Sequence, residues 1–220
     1  MYNKTIITII RGALGMTDCK RLMEERRSVN FFDAAQPLTP ELLRQIVELA
    51  SLAPSAFNLQ PWRLIAVRSP EGRERLWRLA QQQPKVLEAP VTLIVVGDRG
   101  AWQGDNPAWG ELAAMLGGAE AVKPYLAMAE ALYGATTERR IKFAESNAAL
   151  LAMSVVYAAR CFGVEGHFMS GIDFAGIKQA FALDEDEEVV MLLALGYAEG
   201  GKVLYPRRKR QSYDELVEEV

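Results

Sequence analysis

Histidine occurs once in this chain of 220 residues, at His167, and cysteine twice, at Cys19 and Cys161. There is no Cys-x-x-Cys pair, so a disulfide framework and a tetrahedral zinc site both lack material, and the expected compartment is the reducing cytoplasm. No Gly-x-Ser-x-Gly elbow offers a nucleophile to the single imidazole, and neither a Gly-x-Gly-x-x-Gly fingerprint nor a Walker sequence is present. Apolar runs are short as well. In residues 1–15 an apolar patch of about six residues follows one lysine, against roughly 7 to 15 for a signal-peptide core and roughly 20 for a membrane span. No membrane partner is expected. A net charge of −3 argues against a nucleic-acid footprint, and the basic cluster Arg207 to Arg210 is too short to reverse that; it suits one phosphate. Side chains so poor in nucleophiles and metal ligands point to a bound cofactor that carries the chemistry.

Apolar residues, by contrast, make up 50% of the chain, enough for one large core without a linker. Residues 21–220 read as a single domain. Residues 1–20 read as an N-terminal extension that is disordered, mis-started with Met16 as the true beginning, or a strand that docks on a partner. Thr39-Pro40-Glu41 supplies an N-cap, a first-turn proline and an early acid for a helix whose apolar positions run to Ala53. A second helix is predicted near Glu71 to Ala80. From Thr137 to Cys161 the spacing of Ile141, Ala144, Ala148, Leu151, Val155 and Ala159 predicts a long central helix, apolar almost all round from Ala148, with Gly163 as its stop. Trp62 to Val67, Val91 to Val96 and Val189 to Leu195 are β-branched runs of buried-strand type. Asp173 to Ala180 and Tyr213 to Val220 are shorter helical candidates, and the acidic run Asp184 to Glu188 reads as a solvated turn. The pattern is α/β, without a readable strand order.

Between the first helix and first strand lies Ser51-Leu-Ala-Pro-Ser-Ala-Phe-Asn-Leu-Gln-Pro-Trp62. Pro54 and Pro61 bracket Ser55, Asn58 and Gln60, which offer uncharged donors and acceptors suited to the edge of a flat polar heterocycle. An ordinary loop that satisfies its own backbone is the alternative. Two basic clusters, Arg26-Arg27-Ser28 and Arg208-x-Arg210, provide guanidinium forks for a phosphate, or else a solvated turn and a solubilising tail.

The Pro-Ser-x-x-Asn-x-Gln-Pro-Trp stretch resembles the signature of the FMN-dependent nitroreductase family. Glu25-Arg-Arg-Ser-Val-Asn-Phe-Phe-Asp33 is similar to that family's opening motif and Arg210-Gln-Ser-Tyr-Asp-Glu-Leu-Val217 to its closing one. The resemblance implies an α/β (α+β) fold with a mixed sheet flanked by helices, a long central helix at a homodimer interface, and C-terminal arms that wrap the partner. It also implies an FMN site in that interface. Arg26, Arg27, Ser28, Arg208 and Arg210 would then hold the phosphate end, and Pro54, Ser55, Asn58 and Gln60 the ring. Gln82 and Lys85, in Gln82-Gln-Pro-Lys85, match a second family position beside the pyrimidine ring. Ser170 and Gly171 fall where the family carries Glu-Gly near flavin N5, and the Gly171 N–H is the implied donor. The sequence departs from the family at Asn30, where Arg or Lys is usual, at Ser212, where proline is usual, and at Ser170. Asn30 can donate a hydrogen bond but brings no charge, so Lys85 is left to supply the cation. His167 reads as a packing or capping histidine before an acid catalyst.

What the resemblance implies is transfer of hydride from NADH or NADPH to a small-molecule electron acceptor, a nitroaromatic or quinone, in ping-pong fashion. The same fold with another flavin reaction, such as reductive dehalogenation, heterocycle oxidation or flavin breakdown, is one alternative. A flavin-binding protein without turnover is the other. The region Asp98 to Thr137, with Trp102, Trp109, Tyr125 and Tyr133, is where these readings part.

Overall fold

The computed structural model describes residues 16–220. The readings made for residues 1–15 lie outside the described residues. Helix α1 (Met16–Glu25) leads into an extended segment, and α2 (Pro40–Ala50) follows, its N-terminus capped by Thr39 Oγ1 accepting from Leu42 N at 3.1 Å. The polar turn contains a short 3-10 piece (Ala56–Asn58) and delivers the chain to β1 (Trp62–Val67). Helices α3 (Pro70–Leu79) and α4 (Lys85–Glu88) precede β2 (Val91–Asp98). Then come α5 (Pro107–Leu116), α6 (Ala119–Ala129), a π-helical turn (Glu130–Gly134) and α7 (Thr137–Cys161). Strand β3 (Glu165–Met169), α8 (Phe174–Ala180), β4 (Glu187–Gly196) and α9 (Tyr213–Leu216) complete the order.

Among the described residues the sheet has four strands in the order β1-β2-β4-β3, each pair antiparallel; a parallel contribution comes from the bridge Ser28 to Gly166 at the β3 edge. β2 is buried along nearly its whole length because both sheet faces are covered. Leu93 and Val95 face α2 and α7, packing with Ile46, Ala148, Leu151 and Val155. Ile94 and Val96 face the opposite layer with Leu76 and Ile177. Alternation therefore carries no polar face here, which is why this antiparallel strand reads as a continuous apolar run. A third cluster of Leu59, Trp109, Val122 and Phe143 joins the polar turn to α5, α6 and the start of α7.

The spans Trp62–Val67 and Thr137–Cys161 are those that the sequence pattern predicts. Two readings need correction. The stretch after the central helix, where the sequence pattern marks no strand, contains strand β3, whose Gly166 leaves room for Leu193 and Val156 side chains at 3.3 Å from a would-be Cβ. The acidic run is not a solvated turn throughout: Glu187 opens β4 at 8% exposure. Arg63 on β1 grips the Glu187 carboxylate with Nε and, at 2.7 Å, with Nη2, which holds that carboxyl below the usual glutamate range. A buried carboxylate is tolerated because its lone pairs are matched in this way.

α7 packs tightly on the sheet at Gly97, where an added methyl would stand 2.9 Å from the Ala144 backbone oxygen. That atom cannot swing away as a side chain would. Gly97→Ala is expected to destabilise the fold by about 1 to 3 kcal/mol, read as a lower thermal midpoint; an unchanged midpoint would mean that the helix shifts freely.

Candidate functional site

The nominated residues gather in two places. The first lies at the β3 edge of the sheet. The segment 26–33 runs beside β3 through the Ser28 to Gly166 bridge, and Val29 N donates to Gly166 O at 3.3 Å. His167 on β3 returns the contact with Nδ1–H donated to Val29 O at 2.7 Å. The C-terminal segment packs against the same corner: Arg27 Nη2 donates to Tyr205 O, and Arg207 Nη2 donates to Glu24 O and Arg26 O at 2.6 and 2.8 Å. The two basic clusters, nearly 180 residues apart in sequence, thus meet in one chain.

Two further loops complete this corner. Leu79 O accepts from Asp173 N at 2.7 Å, and Gln83 Nε2 donates to Gly171 O at 3.1 Å, which ties the turn at 79–85 to the end of β3. Lys85, half-buried in the first turn of α4, stands close enough to His167 to oppose its protonation. Gln82 is exposed at φ 56°, and Ser170 is exposed beside it on the other loop. Asn30 Nδ2 makes a long 3.4 Å contact to Ser28 O. Arg26, Arg27, Ser28, Asn30, Gln82, Lys85, Ser170 and Gly171 therefore belong to one side of the molecule; Arg208 and Arg210 follow the docked Arg207, and Arg210 Nη1 donates locally to Arg208 O at 2.9 Å. Ser212 has a local reason to differ from proline: its N–H and Oγ–H both donate to the Glu215 carboxylate, at 2.7 and 3.1 Å, capping α9.

The second place is the polar turn at the β1 edge. Ser55 Oγ accepts from Gln60 N at 2.9 Å, and Gln60 Nε2 approaches Asn58 O at 3.4 Å. Pro54, Asn58 and Gln60 are exposed. Phe57, Asn58 and Gln60 all take left-handed backbone angles, φ 51°, 56° and 47°. Each costs on the order of 1 kcal/mol or more in a non-glycine residue, so the surroundings must impose it. They do so from both ends. Asn147, buried on α7, accepts from Ala56 N at 3.0 Å and donates to Phe143 O at 2.7 Å. Asn106, ahead of α5, donates to Leu59 O at 2.9 Å. Between these clamps Phe57 is driven among Trp109, Tyr125 and Tyr133, with ring centres 5.5, 6.4 and 6.2 Å away. Asn147, Asn106 and Phe57 were not singled out from the sequence; an asparagine in a helix interior was the only available hint.

The donor set fits flavin mononucleotide. None of the ion pairs among the described residues takes up Arg26, Lys85, Arg208 or Arg210, so these cations hold their charge in reserve for an anion. Gly171 is a glycine that its own chain does not require: its φ is not left-handed, and an added Cβ would meet only the Gln81 side chain, at 3.5 Å.

Fold and donors together define an α/β protein with an anion corner and an amide-lined turn. The Nitroreductase family model matches residues 23–197, and the chain belongs to the nitroreductase family. A Streptomyces griseus protein named NADH dehydrogenase/NAD(P)H nitroreductase is 34% identical over 201 residues, covering 90% of this chain and 94% of its own length. The NAD(P)H nitroreductase MhqN of Bacillus subtilis is 32% identical over 207 residues, 92% of this chain and 99% of its own. Among solved structures, the nitroreductase ydfN of Bacillus subtilis superposes with a TM-score of 0.85 at 30% identity, covering 93% of this chain and 100% of that one. A nitroreductase of Exiguobacterium sibiricum in complex with FMN gives 0.77 at 26% identity, over 90% and 95%.

His167 illustrates the electrostatics of the anion corner. Burial first, and Lys85 second, bring its pKa from 6.5 down to about 4, so the ring is neutral and donates from Nδ1. Because the folded pKa is depressed, the unfolded chain binds the proton more readily. Stability is whole above about pH 6.5 and is lost as pH falls towards 4. His167→Gln is expected to flatten the melting temperature against pH across that window; an equally steep profile in the variant would assign the acid sensitivity elsewhere.

Proposed function

We propose that the protein passes hydride from NADH or NADPH to a small acceptor, a nitroaromatic or quinone, in a ping-pong sequence where reductant and acceptor occupy one face in turn, and that it works as a homodimer. Family membership makes it an FMN-dependent NAD(P)H oxidoreductase. Bound FMN supplies the two-electron chemistry; the chain supplies binding, orientation and charge.

The observation that carries this reading is the pair of half-sites, one of unpaired cations and one of fixed amides. β1 and β3 are opposite edges of a four-stranded sheet. Three strand spacings separate them, about 14 Å, and β2 and β4 fill the interval. One chain does not fold its amide turn onto its own anion corner. A second copy can bring its Ser55, Asn58 and Gln60 to the Lys85, Ser170 and Gly171 of the first. Arg26, Arg208 and Arg210 then hold the phosphate and Lys85 stabilises negative charge at the ring. The Gly171 N–H orients one ring edge, and the Phe57 clamp keeps the amides facing it. Neutral amides and a guanidinium set do not titrate near neutrality, so the protein's side of these contacts keeps its charge there. No helix of the described residues is long and apolar enough to cross a membrane, and both thiols are exposed, which suits a cytoplasmic setting.

Stopped-flow mixing with NADH and NADPH tests turnover: an enzyme loses its visible absorbance, whereas a carrier stays yellow. Arg208→Ala with Arg210→Ala removes two charge-assisted contacts of about 1.5 to 3 kcal/mol each. FMN affinity should fall roughly a hundredfold or more, seen as a colourless dimer after gel filtration, and full occupancy would refute the phosphate assignment. Lys85→Ala should lower the flavin midpoint potential by tens of millivolts, about 30 mV per 1.4 kcal/mol lost for a two-electron couple. An unmoved potential would remove Lys85 from that role.

A further inference from the structure

A cavity of about 440 Å3 opens between the π-helical turn and the first three turns of α7. Its volume lies in the range of small-ligand sites. Tyr133 and Phe143 line it as a stacked pair, with ring centres 4.5 Å apart and planes at 21°; Phe143 is buried and Tyr133 is the more open ring. Leu132 closes one side, and Arg139 and Lys142 stand at the rim. Arg139 spends one N–H on Leu132 O at 3.2 Å, and none of the ion pairs among the described residues includes Arg139 or Lys142. Glu138 and Glu145 lie on the adjoining groove, which shares Lys142 and Ser146. The cavity is tied directly to the amide turn, since Asn147 lines it while holding Ala56, and Tyr133 in its wall packs edge-on to Phe57.

We infer that this cavity is the acceptor subsite and that it selects planar aromatic acceptors bearing an anionic group, a sulfonate or carboxylate read by Lys142 and Arg139. The inference rests on the flavin-dependent reading above and deepens it. An aromatic ring lies against the Tyr133 ring that Phe143 backs, and its anion meets two cations that no ion pair among the described residues takes up. An uncharged acceptor would use the wall alone. The net reaction with a quinone is NADH + H+ + quinone → NAD+ + hydroquinone, the nicotinamide giving up a hydride and solvent a proton.

The test compares kcat/KM for 1,4-naphthoquinone-2-sulfonate with that for 2-methyl-1,4-naphthoquinone in the FMN-loaded dimer. Lys142→Met should cut the sulfonate-to-methyl ratio about three- to tenfold, as expected for an exposed to half-desolvated charge contact. Lys142→Glu should cut it further, and added salt should erode the wild-type preference. Direct binding of naphthalene-2-sulfonate, followed by tryptophan fluorescence, should weaken in the same order and needs no turnover. If neither quinone is reduced, the flavin-dependent reading fails, and the fluorescence titration still decides the subsite. If both quinones turn over but the ratio and the naphthalene-2-sulfonate affinity are the same in all three proteins, the subsite assignment alone is overturned.

Discussion

The close seat of α7 on the middle strands governs everything else in this molecule. Gly97 admits the Ala144 backbone to contact distance, and the apolar face from Ala144 to Ala159 then covers one side of β2 and β4. The helix is held so near the sheet that it can also act as a fixed post. Asn147, one turn past that contact, reaches the backbone of the amide turn. A looser helix would leave Ala56 without its partner, and the left-handed run at Phe57 and Asn58 would relax to ordinary angles.

The same burial separates the two halves of the site. Because both faces of β2 and β4 are occupied by core, the only places left for polar work are the sheet edges and the loops beyond them. The cationic corner sits at the β3 edge and the amide turn at the β1 edge. Arg26, Lys85, Arg208 and Arg210, which no ion pair among the described residues takes up, keep their charge available to an anion. The Arg63 to Glu187 pair shows the contrast: there the charges are matched inside the fold and serve stability, not binding.

Strain and charge also connect the site to the segment between β2 and α7. Phe57 is wedged among residues of α5, α6 and the π-helical turn, so the shape of that aromatic layer and the direction of the amide side chains are set together. A change in the layer would be transmitted to Asn58 and Gln60 through one side chain.

Composition, capping signals and apolar periodicity by themselves determined the long helix from Thr137 to Cys161, the first strand, the α/β class and the motifs of the family, because each depends on residues near one another in sequence. Strand β3 was hidden: Glu165 to Met169 mixes charged, small and aromatic residues, and its strand character comes from pairing with β4 and the Ser28 segment. The buried state of Glu187 was hidden as well, since an acidic run looks solvated until Arg63 arrives from another strand. Tertiary structure alone decided that Arg27 meets Tyr205 and Arg207 meets Glu24 and Arg26, that Phe57 is held in a left-handed turn by two asparagines, and that Lys142 borders a cavity lined by a stacked aromatic pair. These are long-range contacts, and their free energy depends on which surfaces the core leaves exposed, a property of the packed chain that no local pattern encodes.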